Sequence, residues 1–222
     1  MTKWNPTQYE RFIKDRTQPA IDLANRLETL NPDNILDLGC GPGNSTKVLK
    51  DKYPNSHIIG ADNSEDMLKK AVELYPYIEF IKLDANGDLN EISDKFDIVF
   101  SNACIQWLPN HRELLPKMMT LLKPNGILAI QIPMQQEHPV HIIINELAKT
   151  EKWSSKIISR QYNNLKTDEY FDVLSDISNS FEIWETTYCH RMPSYESIIE
   201  WYKGTGLRPY LEQLSDQKLM SL

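Results

Sequence analysis

A glycine-rich segment at positions 35–46 is the strongest chemical feature of the sequence, with glycines at Gly39, Gly41 and Gly43. Glycine permits the positive φ of a tight loop and lets a ligand approach the backbone closely. The spacing is G-x-G-x-G, whereas the dinucleotide fingerprint G-x-G-x-x-G would need a glycine in place of Asn44. An apolar run precedes the loop and an amphipathic stretch follows it. The segment therefore predicts a ligand site between a strand and a helix.

Acidic residues stand within or directly after three successive apolar runs, at Asp37, Asp62 and Asp84. In an open α/β sheet the carboxyl ends of parallel strands face one crevice. Asp62 lies about 20 residues beyond the glycine loop, where an acid commonly binds ribose hydroxyls. Asp84 suits an exocyclic amine and Asp37 a ligand ammonium, so the three together indicate S-adenosylmethionine. The alternative is that each acid only caps a turn or a helix.

Five short apolar runs between positions 32 and 133 alternate with amphipathic stretches, a pattern typical of β-α-β units. We predict parallel strands at 34–38, 57–61, 78–83, 96–100 and 126–132. Helices are predicted at 45–52, 64–74 and 112–122, with one or two more between 6 and 30. Because crossover helices cover both faces of such a sheet, the fold class is α/β.

The pattern changes after Pro133. Positions 138–180 are helical and irregular, 181–192 alternate like an antiparallel sixth strand, and 194–214 form a helix pair broken at Gly204 and Gly206. We therefore predict a cofactor-binding core with N-terminal helices at 1–133. A helical substrate cover with the sixth strand and C-terminal helices follows at 134–222, within one structural domain.

Several motifs resemble known methyltransferases. The segment 37–43, Asp62 and the pair Asp84-Ala85 are similar to the cofactor motifs of class I S-adenosylmethionine-dependent methyltransferases. Across nearly the whole chain, the closer resemblance is to the trans-aconitate 2-methyltransferase family; it is carried by Trp4-Asn-Pro, Tyr9, Arg16, Ser101-Asn-Ala, Gln106-Trp-Leu-Pro, His111, Met192-Pro-Ser and Thr205-Gly-Leu-Arg-Pro209. The resemblance implies a Rossmann-like sheet with helices on both faces, and it adds Ala85 and Ser101 to the predicted cofactor site.

One departure from that family concerns the end of the sheet. The family continues into a last strand, whereas this sequence offers six apolar runs before Leu222. We therefore expect the seventh strand to be missing and the facing edges of strands five and six to be unpaired, an aggregation liability. We also expect the chain to be less stable than a version extended by one hairpin arm.

The activity implied by the resemblance is formation of the monomethyl ester of a small polycarboxylate, trans-aconitate first, with S-adenosylhomocysteine as the other product. A carboxylic acid is ionised at pH 7, so no general base is needed and we assign no catalytic acid or base. Arginine clamps carboxylates bidentately, which favours Arg16 and Arg208, with Arg160 third because it precedes a polar loop. The remaining predicted substrate-binding residues are Tyr9, Gln106 and Trp107.

Two alternatives stay open. One is a methyltransferase of a carrier-bound acyl carboxylate, of the malonyl-acyl-carrier-protein type, which has a similar Asn-x-x-x-Gln-Trp segment. The other is a catalytically silent cofactor-binding protein. Nucleic acid and amine methylases are disfavoured, because they carry an Asn/Asp-Pro-Pro-aromatic tetrad where this sequence has Ser101-Asn-Ala-Cys104.

Composition limits the partners and the compartment. The 222 residues hold 24 Lys and Arg against 31 Asp and Glu, a net charge of −7, which disfavours nucleic acid as a partner. Three distant cysteines and scattered histidines show neither disulfide nor metal spacing. No apolar run has the length of a signal peptide or a membrane span. We expect a cytoplasmic monomer with a small anionic substrate, no membrane partner and no metal.

Overall fold

The computed structural model describes residues 13–27, 31–87, 89, 92–158 and 161–216. The chain divides into two units. Ile13–Pro133 and Asn163–Thr187 form the sheet unit, and Met134–Tyr162 with 188–216 form the described part of the helical unit. The chain leaves the sheet unit after Pro133 and returns to it for Asn163–Thr187.

Five parallel strands make up the sheet, and the five predicted apolar runs are confirmed as strands. They are β1 (Asn34–Leu38), β2 (His57–Asp62), β3 (Glu79–Lys82), β4 (Phe96–Asn102) and β5 (Leu122–Gln131). Their spatial order is β3-β2-β1-β4-β5, so the order reverses between β1 and β4. In open α/β sheets a ligand crevice lies outside the carboxyl ends of the strands at such a switch point.

Helices connect and flank these strands. Those of the sheet unit are α1 (Ile13–Asn25), α2 (Asn44–Lys52), α3 (Glu65–Leu74), α4 (His111–Met119) and α7 (Thr167–Ile177). One core cluster joins Ile35 of β1 to Leu23 of α1, and a second joins Leu36 to Leu115 of α4 and Val173 of α7. Because successive strand residues face opposite sides, these clusters cover both faces of the sheet and confirm the α/β fold.

The predicted sixth strand is wrong. Residues 181–192 form no strand, and among the described residues β5 pairs only with β4. The segment is held by side chains instead: the ring of Phe181 packs on Phe171 at 5.2 Å, and the Arg26 guanidinium lies 4.0 Å from the Trp184 ring. The apolar and polar residues of this segment alternate, but the segment does not pair with another strand. Since there is no sixth strand over 181–192, the prediction of two facing edges reduces to the outer edge of β5, which has no partner strand within the described ranges.

The helical unit contains α5 (Pro139–Ala148), α6 (Glu151–Ser154), α8 (Tyr195–Lys203) and α9 (Arg208–Asp216). His141 is buried near its centre, with Nδ1 2.9 Å from the Tyr162 hydroxyl. A Cβ at Gly206 would lie 2.5 Å from the His141 ring, so glycine is required between α8 and α9. Across the described part of the chain, the structure has no helix that combines the length and the apolar character of a membrane span.

Candidate active site

The glycine loop between β1 and α2 has the backbone geometry that its sequence predicted. Gly39, Gly41 and Gly43 have φ values of +79°, +55° and +88°. A Cβ at Gly39 would lie 2.1 Å from Cys104 Sγ, so that side chain fills the space beside the glycine. A Cβ at Gly41 would have no described neighbour within 4 Å. The loop is therefore tightly packed at its start and open at its middle glycine, where a ligand can approach the backbone.

Asp37 lies beneath this loop with no exposed surface. Its Oδ2 accepts hydrogen bonds of 2.6 Å from the hydroxyls of Ser45 and Thr46, at the start of α2. Its Oδ1 is buried and has no hydrogen-bond partner among the described residues. Burial raises the pKa of Asp37 to about 6, against the opposing effect of the two hydroxyls. The carboxyl thus ties β1 to α2 and retains one acceptor for a donor; its predicted contact with a ligand ammonium stays a prediction.

Asp62 ends β2 and ties it to the glycine loop. Its Oδ2 accepts from the backbone N–H of Gly41 at 2.9 Å, and its Oδ1 accepts from that of Ser64 at 2.8 Å. Burial raises its pKa, and these backbone donors partly offset the effect. Each carboxylate oxygen has further lone pairs. Asp62 can therefore hold the loop and still accept from ligand hydroxyls, the role predicted for it.

Asp84 and Ala85 follow β3 on the same edge of the sheet. Asp84 is exposed, and its Oδ1 accepts from the backbone N–H of Asn86 at 2.9 Å, which is a turn-capping bond. Ala85 is buried. The bond from Asn86 agrees with the alternative in which Asp84 only caps a turn. Because the residue is exposed, its other carboxylate oxygen can still accept from the predicted ligand amine.

The carboxyl end of β4 carries Ser101, Asn102 and Ala103. Ser101 is fully buried and its hydroxyl donates to the carbonyl of Leu38 at 2.9 Å, joining β4 to β1. Ala103 has φ +52°, an uncommon value for a residue with a side chain. Ser101 therefore supports the switch point from inside the sheet; a direct contact with the cofactor stays a prediction.

A three-residue 3-10 turn, Ile105–Trp107, follows and carries two predicted substrate residues. Gln106 is buried and its Nε2 donates to the Ala103 carbonyl at 2.7 Å, while Trp107 is half-buried. His111, the first residue of α4, contacts the carbonyls of this turn and is 1% exposed. Sequence reasoning assigned His111 no role, although its position two residues after the Gln106-Trp-Leu-Pro motif was a signal that could have linked it to this turn.

The predicted arginines lie in different places. Arg16 is on α1 in the sheet unit, and Arg208 is on α9 in the helical unit. Arg208 is buried, its Nε donates to Glu212 Oε1 at 2.9 Å, and desolvation lowers its pKa. Tyr9 and Arg160 lie outside the described residues.

Buried oxygens at the carboxyl edge indicate what ligand fits there. Five side-chain oxygens are buried and without a hydrogen-bond partner in the described part of the chain: Asp37 Oδ1, Asn44 Oδ1, Asn102 Oδ1, Gln106 Oε1 and Gln131 Oε1. All five are acceptors on or next to the switch-point strands. A buried acceptor is normally paired, so this set suits a cationic ligand rich in N–H and O–H donors. Within the described ranges, no group of His, Cys, Asp and Glu could hold a metal ion.

Similar proteins show which family the chain belongs to. Residues 31–192 match a family described as "Methyltransferase domain". Trans-aconitate 2-methyltransferase of Escherichia coli O157:H7 is 39% identical over 98% of this chain and 84% of its own length, and that of Shigella flexneri is 38% identical over the same shares.

Solved structures agree on the fold. The YcgJ protein of Bacillus subtilis has a TM-score of 0.61 at 18% identity, over 92% of this chain and 85% of its own. Phosphoethanolamine N-methyltransferase 2 of Haemonchus contortus, in complex with S-adenosyl-L-methionine, has a TM-score of 0.53 at 19% identity. The match covers 72% of this chain and 36% of the other.

The acceptor-rich edge fits the ammonium, ribose hydroxyls and adenine amine of S-adenosylmethionine, the cofactor of this protein class. Asp37, Asp62 and the glycine loop stay the residues predicted to hold it. The chain is a methyltransferase of class I, and it belongs to the trans-aconitate 2-methyltransferase family.

Proposed function

We propose that the protein methylates one carboxylate of a small polycarboxylate, trans-aconitate first, and forms its monomethyl ester. The observation that carries this proposal is the 39% identity, over 98% of the chain, to enzymes named trans-aconitate 2-methyltransferase. The matched relatives extend over both units, so the similarity is not confined to the cofactor-binding sheet.

The proposed reaction needs orientation rather than proton transfer. When bound, S-adenosylmethionine supplies a methyl group on a positively charged sulfur. A carboxylate oxygen forms the new carbon–oxygen bond while the carbon–sulfur bond breaks, and its electron pair stays on sulfur in S-adenosylhomocysteine. No proton moves, since the acid is already ionised at pH 7. The protein therefore contributes mainly by aligning the reactants, an effect worth about 7–11 kcal/mol at most.

Residues of the sheet unit would align the acceptor next to the cofactor. Gln106 and Trp107 follow the carboxyl end of β4 at the switch point, so we assign them to the substrate side of the site. The buried Gln106 amide can donate from Nε2 to a carboxylate, whereas its Oε1 can accept only from a protonated carboxyl group. Trp107 would exclude water that otherwise solvates the nucleophile.

Arg16 and Arg208 are the proposed cations for the carboxylates of the acid. Arg208 is 8% exposed, and a charged group buried to this extent is normally paired. Glu212 accepts from one of its five N–H donors. Arginine at both positions would give bidentate recognition that lysine cannot provide.

A methyl-transfer assay tests the proposal. Purified protein is incubated with methyl-labelled S-adenosylmethionine and one acid at a time: trans-aconitate, its cis isomer, saturated tricarboxylates, dicarboxylates and a malonyl-loaded carrier protein. We expect base-labile labelled ester with trans-aconitate and little with dicarboxylates. Preference for the carrier-bound acid would contradict the substrate proposed here. Tight cofactor binding without transfer to any acid would instead support a silent binding protein.

A further inference from the structure

His111 connects α4 to the turn that carries Gln106 and Trp107. Its Nε2 lies 2.8 Å from the carbonyl oxygen of Ile105 and 3.1 Å from that of Leu108. Carbonyl oxygens only accept hydrogen bonds, so Nε2 must carry the proton and donate. The imidazole therefore binds the backbone at both ends of the turn.

The second ring nitrogen is fixed as well. With the proton on Nε2 the neutral ring has its lone pair on Nδ1, which lies 2.5 Å from the hydroxyl of Tyr170 on α7. That hydroxyl is therefore the donor. Burial raises the pKa of Tyr170 to about 12, so the phenol keeps the proton that it donates. The imidazole is held in one tautomer and one orientation by two elements of the sheet unit.

The turn has little rigidity of its own. Two backbone bonds close it, from Trp107 N to Cys104 O at 3.0 Å and from Leu108 N to Ile105 O at 2.8 Å. Hydrogen bonds in 3-10 helices have poor geometry, and a three-residue piece has no neighbouring turns to support it. The Ile105 carbonyl uses one lone pair within the turn and the other for His111. The turn therefore depends on support from outside, which comes from the core packing of Ile105 and from the two bonds of His111.

The position of the turn sets the position of the Gln106 amide. Its Nε2 donates to the carbonyl of Ala103, whose own N–H donates to the carbonyl of Gln131 at 2.9 Å. A shift of the turn would break this chain of bonds at Gln106, beside the carboxyl ends of β4 and β5. We propose that His111, supported by Tyr170, is a positioning residue for methyl transfer that acts through the Ile105–Trp107 turn. This inference rests on the proposed function, which places Gln106 and Trp107 next to the methyl acceptor.

Three variants test the inference. His111→Leu removes both backbone bonds, His111→Gln restores an N–H donor of similar reach, and Tyr170→Phe removes only the support at Nδ1. The matched control is His57→Gln, since His57 is exposed and pairs with Glu79 far from the turn. Each variant is measured for kcat and KM with the best acid, for the dissociation constant of S-adenosylmethionine, and for hydrogen exchange in peptides covering 103–110.

We expect His111→Leu to lower kcat by on the order of 10²-fold, the loss typical of a reacting group misplaced by about 1 Å. Cofactor affinity should stay within about twofold, since the glycine loop is not touched. Tyr170→Phe should give a smaller loss, and His111→Gln should recover most of the rate. Faster exchange should be confined to 103–110 and absent in the control.

Other outcomes would overturn the inference. Unchanged kcat in His111→Leu, or equal losses in His111→Leu and His111→Gln with slow exchange at 103–110, would show that the imidazole does not position the turn. If His111→Leu does not fold, Tyr170→Phe decides, because wild-type kcat together with wild-type exchange at 103–110 in that variant contradicts the inference. Failure of the proposed function is separable: the wild-type protein would then methylate no acid, while exchange at 103–110 would still report on the turn.

Discussion

Replacing Asp37 with asparagine should stabilise the cofactor-free protein and weaken its binding of S-adenosylmethionine. The carboxyl is fully buried, and the hydroxyls of Ser45 and Thr46 both donate to the same oxygen, Oδ2. Asparagine has nearly the same shape and keeps one oxygen to accept from these hydroxyls. Asp37→Asn therefore removes the buried charge and keeps the bonds that tie β1 to α2, while its amide NH2 replaces the unpartnered Oδ1 at a cost that does not depend on pH.

The size of the effect follows from the pKa of Asp37, which burial raises from 3.8 to about 6. Between these two pH values the unfolded chain has released the proton that the folded protein still holds, so stability falls as pH rises. The loss is absent below about pH 4 and complete above about pH 7, where it reaches roughly 3 kcal/mol. Since asparagine does not ionise, the variant avoids this loss.

Urea unfolding without cofactor, followed by circular dichroism at pH 5, 6 and 8, measures the difference. The free energy of unfolding of Asp37→Asn should exceed that of the wild type by up to about 3 kcal/mol at pH 8, and the gap should narrow towards pH 5. Asp51→Asn is the control, because Asp51 is an exposed acid on α2, the helix that carries Ser45 and Thr46. A variant that is less stable than wild type at pH 8, or a gap independent of pH, would refute the reasoning.

The negative charge of the ionised Asp37 carboxylate should strengthen the binding of S-adenosylmethionine. If the ligand ammonium meets Asp37, binding favours the ionised carboxylate and releases its proton near pH 6. Wild-type affinity should then fall by up to about tenfold per pH unit below 6, while that of Asp37→Asn should be weaker and nearly independent of pH. Calorimetry in buffers of different ionisation enthalpy counts the released proton. Equal proton release in both proteins would assign it to another group.

Three further predictions concern the same site. Asp62→Ala should weaken S-adenosylmethionine binding more than tenfold, since a hydrogen bond to a charged group is worth about 1.5–3 kcal/mol; an unchanged calorimetric dissociation constant in the folded variant would remove Asp62 from the site. Arg16→Lys and Arg208→Lys should each raise KM for a tricarboxylate and leave cofactor affinity unchanged, because lysine lacks the bidentate fork; wild-type kinetics in both would assign the clamp elsewhere. Gly39→Ala should lower the melting temperature and abolish cofactor binding, because at a φ of +79° its Cβ would overlap both Sγ and Cβ of Cys104; normal stability would contradict the packing, and Cys104→Gly, which removes both of these atoms, should partly rescue the loss.

Most of the sheet and its functional edge could be predicted because the relevant signals are local. Each β-α-β unit has its apolar run, its amphipathic stretch and its polar residue in one short segment, so the placement of Asp62 at the end of β2 needed no distant contact. The sixth strand failed because a strand also needs a partner. Alternation over 181–192 satisfied the local pattern, but the contacts of Phe181 and Trp184 are with α7 and with Arg26.

The support of the Ile105–Trp107 turn could not be predicted, because it comes from residues that are far apart in the sequence. Nothing in the spacing of His111 and Tyr170 shows that the two meet, as they are 59 positions apart. Gln106 and Trp107 could be placed after β4 from the sequence. The support that holds their turn in place comes from two helices whose packing is a tertiary property.

The buried acceptors at the carboxyl edge explain why the site should be less stable without its ligand. An acceptor such as Asp37 Oδ1 or Asn102 Oδ1 that loses water and gains no donor costs about 1–3 kcal/mol. A ligand that supplies N–H and O–H donors removes that cost on binding. Part of its affinity therefore comes from pairing acceptors that are unsatisfied in the free protein. Stability and affinity should therefore change in opposite directions when one of these oxygens is replaced by an apolar group of similar shape. Asp37 follows the same relation, with the difference that its buried oxygen can ionise, so that its cost depends on pH. If the pH dependence of stability disappears when the cofactor binds, the ligand contacts this carboxylate.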